Sequence, residues 1–153
     1  MHFIDTIAGD PSLSWSADAV DPGPAPAQTG TYSDARGEIR RIALGAAKHN
    51  ALLTLAGHMR SGDFHPNTQF DVILSGRAEL LTIEQGREKW RLLLPNTMIA
   101  IRPYVPHLFR FPEDAVMLEW WDGPFKCWYW KPLRDIIDGN GSQFTAGDSA
   151  NNS

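Results

Sequence analysis

Asp63 and His65 stand one residue apart, and a second imidazole, His107, closes the turn-rich stretch Ile101-Arg-Pro-Tyr-Val-Pro-His. On an extended chain alternate residues share a face, so Asp63 and His65 point the same way, and His107 can join them from a neighbouring strand. Two imidazoles and one carboxylate on a rigid sheet make a facial site with open positions. That set suits Fe(II) and tolerates Mn, Ni or Zn. One divalent metal there would polarise a carbonyl or enol oxygen of a small substrate, or bind dioxygen if the metal is iron. Gln69 is expected as a weak oxygen ligand or as a partner that fixes a His tautomer. The metal-free alternative stays open. A turn Asp after Gly62 often bonds only its own backbone, and His65 and His107 can satisfy each other, Gln69 or water. Such a pair still does acid–base work near neutral pH.

Other side chains are candidates for the same site. Glu119 alternates with Leu118 and Trp120, so it points opposite to them: inward it is a candidate general base or further carboxylate ligand, outward a surface charge. His58 is a reserve ligand whose direction depends on bends at Gly57 or Gly62. Tyr104, Phe109 and Trp120 are the expected wall of the substrate pocket, where aromatic faces stack on a flat ligand. The remaining aromatics near Trp128 and Trp130 read as core and subunit contact.

These residues need a sheet to hold them, and the chain supplies one. Short runs rich in Val, Ile, Leu, Phe and Trp follow one another with turn residues at the spacing of sandwiches and barrels. Strands are expected at 38–44, 51–59, 69–75, 77–85, 88–94, 97–102, 107–111 and 115–121. Glu84-Gln-Gly-Arg, Leu94-Pro-Asn and Pro112-Glu-Asp supply turns between them. Eight strands joined by tight turns suit a jelly roll, with a cavity open at one end. Residues 127–131 should run extended, with Trp128 and Trp130 on one face and Tyr129 on the other. Pro132 then opens a short helix whose apolar stripe is Leu133, Ile136 and Ile137, ended by Gly139. The expected division is an irregular N-terminal arm at 1–37, the barrel with its C-terminal helix at 38–138, and a disordered tail at 139–153.

The stretch from Gly62 to Gly76, Gly-Asp-Phe-His-Pro-Asn-Thr-Gln-Phe-Asp-Val-Ile-Leu-Ser-Gly, together with His107 behind Pro103 and Pro106, resembles the cupin superfamily. Its first motif opens on Gly, sets two histidines one residue apart, then a Glu and a further Gly; its second leads through a Pro-rich turn to a third His. Here the corresponding positions read Asp63, His65, Gln69 and Gly76, with His107 in the second motif, so the first motif is degenerate. The likeness covers about residues 50 to 122 and is to small single-domain, RmlC-like cupins. It implies an all-β, double-stranded β-helix (a jelly-roll barrel) and a homodimer with crossing N-terminal arms. The implied activity is that of a small-molecule enzyme, an isomerase, epimerase, cyclase or lyase acting on a carbonyl-bearing metabolite. An Fe(II)-dependent dioxygenase and a non-catalytic sugar- or effector-binding cupin are the alternatives.

Composition narrows the partners. The 153 residues carry 14 basic and 18 acidic side chains, a formal charge of -4, with no long run of one sign. The footprint of a nucleic-acid binder is therefore missing. One cysteine, Cys127, rules out an internal disulfide. No apolar run approaches the ~20 residues that cross a bilayer, and the start Met-His-Phe-Ile-Asp lacks a secretion signal's basic and apolar regions. A cytoplasmic protein with a small-molecule ligand, and with neither nucleic acid nor membrane as partner, is the expectation.

Overall fold

The alternating pattern in the middle of the chain becomes two facing sheets. The computed structural model describes residues 2–7, 17–24, 29–44, 47–139 and 143–144, with backbone alone at 2–7 and 44. The first strands are β1 (His2–Ile7), β2 (Ala19–Val20), β3 (Gly30–Asp34), β4 (Gly37–Leu44), β5 (Ala47–Thr54) and β6 (His58–Phe64). They are followed by β7 (Gln69–Ser75), β8 (Ala78–Glu84), β9 (Arg87–Leu93), β10 (Thr97–Ile101), β11 (His107–Phe111), β12 (Ala115–Trp121) and β13 (Trp128–Trp130), then helix α1 (Lys131–Gly139). Among the described residues one sheet runs β1-β10-β7-β12-β5-β4-β3 and the other β2-β13-β6-β11-β8-β9. This is an all-β jelly roll, and no helix among the described residues is long and apolar enough to cross a membrane.

Parity along the strands decides what each face buries. Leu52, Ile73, Leu80, Ile99, Phe109 and Met117 come from both sheets and meet in the interior, where they form the main core. Their chain neighbours Leu81 and Leu108 turn to the outer face of the six-stranded sheet. There they pack with Met59, Phe64, Trp130, Leu133 and Ile137. The short helix thus covers that outer face with Leu133 and Ile137, while Ile136, expected in the same stripe, stays exposed. Trp128 packs on the outer cluster with Trp130, and Tyr129 between them lines the interior, as alternation requires.

Three features depart from the pattern read in the sequence. The single strand expected at 51–59 is two, β5 and β6, separated by a turn at Leu55-Ala56-Gly57 in which Gly57 has φ +84. That turn carries few polar markers of its own. Its backbone donors are taken by distant acceptors instead, Leu55 N by Arg36 O and Ala56 N by Asp114 Oδ1, each at 2.8 Å. Secondly, within the segment expected to be an irregular arm, β1 pairs in parallel with β10, β2 with β13, and β3 with β4. All three strands lie at or next to a sheet edge, and β3 is exposed along its whole length, so no long apolar alternation announced them. Of the expected tail only Gly139, Gln143 and Phe144 are described; Gln143 bridges to His58 and Phe144 joins the outer cluster.

The third feature places the site. In β6, His107 of β11 lies opposite Asp63 but Leu108 lies opposite Ser61, so Gly62 is an extra residue with no partner across the ladder. Ser61 and Gly62 have φ of +79 and +71, the signature of a β-bulge. An added Cβ at Gly62 would sit 2.9 Å from Arg134 Cδ and 3.0 Å from Ile137 Cδ1, so besides straining the backbone it would push these two helix side chains aside. The bulge resets parity. Arg60 faces the interior before it, and Asp63 and His65 face the interior after it, with Met59 and Phe64 outside.

Candidate metal centre and cavity

With parity reset, Asp63 brings Oδ1 to 3.5 Å from His65 Nε2 and 3.3 Å from His107 Nε2. The donor atoms of Asp63, His65 and His107 all lie within 4.8 Å of one another. Each imidazole is held from behind. His65 Nδ1 lies 2.8 Å from Lys126 O and His107 Nδ1 lies 2.9 Å from Val105 O. A carbonyl only accepts, so both Nδ1 atoms carry hydrogen and donate, which leaves Nε2 of each ring as the free electron pair. That is the arrangement by which backbone carbonyls orient metal-binding histidines. Asp63 Oδ1 and His107 Nε2 are buried and, despite their 3.3 Å separation, lack the alignment of a hydrogen bond. A cation between these two buried acceptors would satisfy both, and so Asp63, His65 and His107 can hold a metal ion.

Without a metal, the same three groups divide one proton. Burial pushes the Asp63 carboxyl up, but the charge and hydrogen bond of His65, with His107 and Arg134 behind, hold it below its ordinary value. Burial opposes a charge on His65, yet Asp63 beside it and the Lys126 carbonyl raise its pKa. For His107 burial and the neighbouring His65 outweigh Asp63 and the Val105 carbonyl, so its pKa falls to about 4 and it is neutral. The imidazoles are thus unequal: His65 takes the proton, His107 keeps a lone pair.

The opposite wall comes from the other sheet. Asp71 on β7, Glu119 on β12, Asn50 on β5 and Arg41 on β4 are successive partners across the ladders, a polar row directly facing inward. Glu119 is 8 % exposed and accepts from Asn50 Nδ2 at 2.9 Å, so of its two expected orientations the inward one is found. Gln69, two residues before Asp71, donates Nε2 to both Asp71 oxygens at 3.1 and 3.0 Å. Its amide hydrogens are committed there, and the His tautomers are set by Lys126 and Val105 instead. Burial, then the neighbouring Glu119, pushes Asp71 well above its ordinary 3.8; burial, then the Asp63 charge, raises Glu119 against the Asn50 hydrogen bond.

Asp71 therefore keeps its proton to higher pH in the folded chain than in the unfolded one. Its neutral form contributes stability that is fully present below the unfolded value of 3.8 and is lost as pH rises through the higher folded value. Asp71→Asn should then gain on the wild type as pH rises. In urea unfolding at about pH 5 and about pH 8, the variant's advantage should be larger at the higher pH, and an equal gap at both would contradict the assignment.

Between these walls lies a cavity of about 550 Å3, lined by Asp63, His65, Gln69, Glu119, Lys48, Arg60, Trp121, Phe125 and Tyr129 among others. His65 meets Trp121 edge to face and Phe125 at a tilt, with ring centroids 5.3 and 5.5 Å from its own. Cys127 also reaches the lining, but burial pushes its thiol to about 12, so it is not a thiolate nucleophile. The four side chains expected at the pocket sit elsewhere. Phe109 faces inward like His107 but one layer deeper, in the closed core. Tyr104, with φ +66, turns out to pack on Phe64 in the outer cluster. Trp120 stacks outside on Phe70 and His49, as it must once Glu119 points in. His58 opens β6 opposite Phe111, away from the cavity lining.

Solved structures share this architecture. A variant of oxalate decarboxylase from B. subtilis aligns over 87% of this chain and 41% of its own, at 16% identity and TM-score 0.60. The fold is that of the cupins. The oxalate decarboxylase–formate complex from Lactobacillus farciminis aligns with this cupin barrel over 80% of the chain and 38% of its own, at 14% identity and TM-score 0.59. The capsular polysaccharide assembling protein CapF from Staphylococcus aureus covers 78% of the barrel chain and 34% of its own, at 12% identity and TM-score 0.58. The chain thus spans well under half the length of these solved chains. No protein-family model and no curated protein matches it.

Sequence reading missed Lys48, Asn50, Asp71 and Arg60. The signal was present as parity: Lys48, Asn50, Leu52 and Thr54 are the buried alternate positions of β5, and Gln69, Asp71 and Ile73 those of β7. A polar residue at an apolar parity inside a strand marks a cavity wall.

Proposed function

We propose that this cupin is a small-molecule enzyme that holds one divalent metal, Fe, Mn, Ni or Zn, at Asp63, His65 and His107. On this reading it moves a proton on a carbonyl-bearing metabolite, by isomerisation, epimerisation, cyclisation or elimination. The observation that carries the reading is the convergence of three donor atoms within 4.8 Å on the wall of a cavity, with both imidazoles locked through Nδ1. The metal, when bound, polarises the substrate oxygen. Glu119 faces it from the other sheet, and its carboxylate takes the proton from the carbon next to that carbonyl and returns it to the same or a neighbouring carbon. Asn50 Nδ2 donates to Glu119 Oε1 and so fixes the orientation of the carboxylate. Trp121 and Phe125 keep water from the reacting carbon.

The two-imidazole, one-carboxylate donor set also favours a second reading, an Fe(II)-dependent dioxygenase. One experiment separates them. The purified protein is assayed for metal, then metal-loaded protein is incubated with 2-oxo acids in D2O under air and without oxygen. Carbon–hydrogen exchange that persists anaerobically and stops on chelation supports the proton-transfer enzyme; oxygen uptake with iron alone supports the dioxygenase. Metal or ligand binding without either signal leaves a binding protein, and protein that takes up no metal removes the leading reading. A homodimer belongs to the same proposal, with a light-scattering mass near twice 17.0 kDa as its check.

A further inference from the structure

Six cations line the cavity: Arg36, Arg41, Lys48, Arg60, Lys126 and Arg134, against the carboxylates of Asp21, Asp63 and Glu119. Most of the six are committed to the protein. Arg36 pairs with Asp34 at 2.6 Å, Arg60 donates to Thr54 Oγ1 at 2.7 Å and Leu53 O at 3.3 Å, and Arg134 holds Ser61 O and Asp138. Lys126 is exposed and lies over Trp128 on the outer side. Lys48 and Arg41 remain; Arg41 lies over the Tyr32 ring, 5.6 Å from its centroid, a contact that supplies no counter-charge.

Neither has a carboxylate within ion-pair distance or an oxygen acceptor among the described residues, although Lys48 is only 3 % exposed. The Lys48 ammonium lies 3.8 Å from the Phe125 ring centroid and 6.0 Å from that of Trp121. Arg41 stands diagonally across the β4–β5 ladder, since Ala43 is opposite Lys48 and Arg41 opposite Asn50. Diagonal positions of one face are about 7–8 Å apart, close enough for one small anion to touch both side chains. Glu119 is not paired with either: its carboxyl accepts from Asn50 Nδ2 at 2.9 Å and, among the described residues, forms no ion pair with Lys48 or Arg41. A buried ammonium and a guanidinium placed together without a counter-charge are costly unless a ligand supplies one. The same two rings, Trp121 and Phe125, flank both Lys48 and His65, which puts the cation pair beside the metal centre.

We propose that the substrate is a small organic acid whose carboxylate is gripped by Lys48 and Arg41 while a neighbouring carbonyl or hydroxyl oxygen faces Asp63, His65 and His107. The oxygen's place rests on the metal reading above; the carboxylate's place does not. Calorimetric titration of the metal-loaded full chain with pyruvate, lactate, malate and 2-oxobutyrate, each beside its primary amide, tests it. At least one acid should bind, and its amide should bind at least about tenfold more weakly. Lys48→Met and Arg41→Met should each weaken that acid by about 10- to 100-fold, the range of a lost charge-assisted hydrogen bond. Mn(II) affinity should be the same in both variants as in the wild type. Lys48→Met fills the same space without charge, a change that buried sites tolerate well, and Lys48→Gln serves as the second variant if it fails to fold. Acid and amide binding equally, either variant keeping wild-type affinity for the acid, or no acid binding at about 10 mM would each overturn the proposal. Should Mn(II) fail to bind while the acids keep their dependence on Lys48, the metal reading falls and the anion site stands.

Discussion

On the proposed function, His107→Ala is expected to abolish metal binding and to lower kcat/KM by about a thousandfold, within the range lost when a positioned catalytic group is removed. The ring supplies one of the three donor atoms found together among the described residues, and there its Nε2 has no hydrogen bond to fall back on. Removing it leaves Asp63 and His65 as a two-point chelate, which cannot hold a facial geometry. Turnover alone would not separate a lost metal from a damaged fold, so the decisive readout is thermal. Saturating metal at about a hundred times its Kd should stabilise the wild type by about 2.7 kcal/mol, and this gain should vanish in the variant. His107 is neutral, with its pKa near 4, so its deletion removes no folded-state charge and metal-free stability falls only by the lost packing. His107→Gln, which keeps more of the volume, should recover part of that packing but not the metal response. A variant that retains stoichiometric metal, or whose kcat/KM stays within a few-fold of wild type, would show that these three residues are not the centre.

The ladder of the barrel was legible in the sequence because most strands have one dry face. Gln69–Ser75, His107–Phe111 and Ala115–Trp121 begin and end where alternation and turn residues place them. The meeting of Asp63, His65 and His107 was legible too, although the parity argument for the first two passes over the bulge that makes it work. Without the extra residue at Gly62, the side that carries Arg60 would carry Gly62 and Phe64 next, and Asp63 would face the helix. Nothing local distinguishes a Gly that bulges from a Gly that merely turns. The pocket wall was misread for a different reason. Aromatic character says that a side chain wants burial, not which of two buried compartments receives it. Glu119 and Trp120 are neighbours on one strand and cannot both face the cavity, so an inward Glu119 already placed Trp120 outside. Phe109 shares its face with His107, and only the depth of the core beneath the metal centre separates a packing residue from a lining one.

That depth gives the largest expected effect on stability. Phe109→Ala should cost about 3–5 kcal/mol, the usual loss for a fully buried phenyl ring. Phe109 has 0 % exposure, stacks on Phe111 with centroids 6.3 Å apart, and meets His107 edge to face at 5.9 Å. A domain of this kind has about 5–15 kcal/mol in all, so the variant should unfold at much lower urea, with the slope of the transition unchanged. The ring also forms the floor under His107. The space left beneath His107 should let the imidazole swing about its bond to Val105 O, and Mn(II) affinity should then fall about tenfold even where the variant is still folded. Trp120→Ala serves as the contrast, because its ring lies outside on Phe70 and leaves the metal centre untouched. If Phe109→Ala lost less than about 1 kcal/mol, the ring would have to line open space instead of core, and the boundary drawn between the cavity and the interior would be in the wrong place.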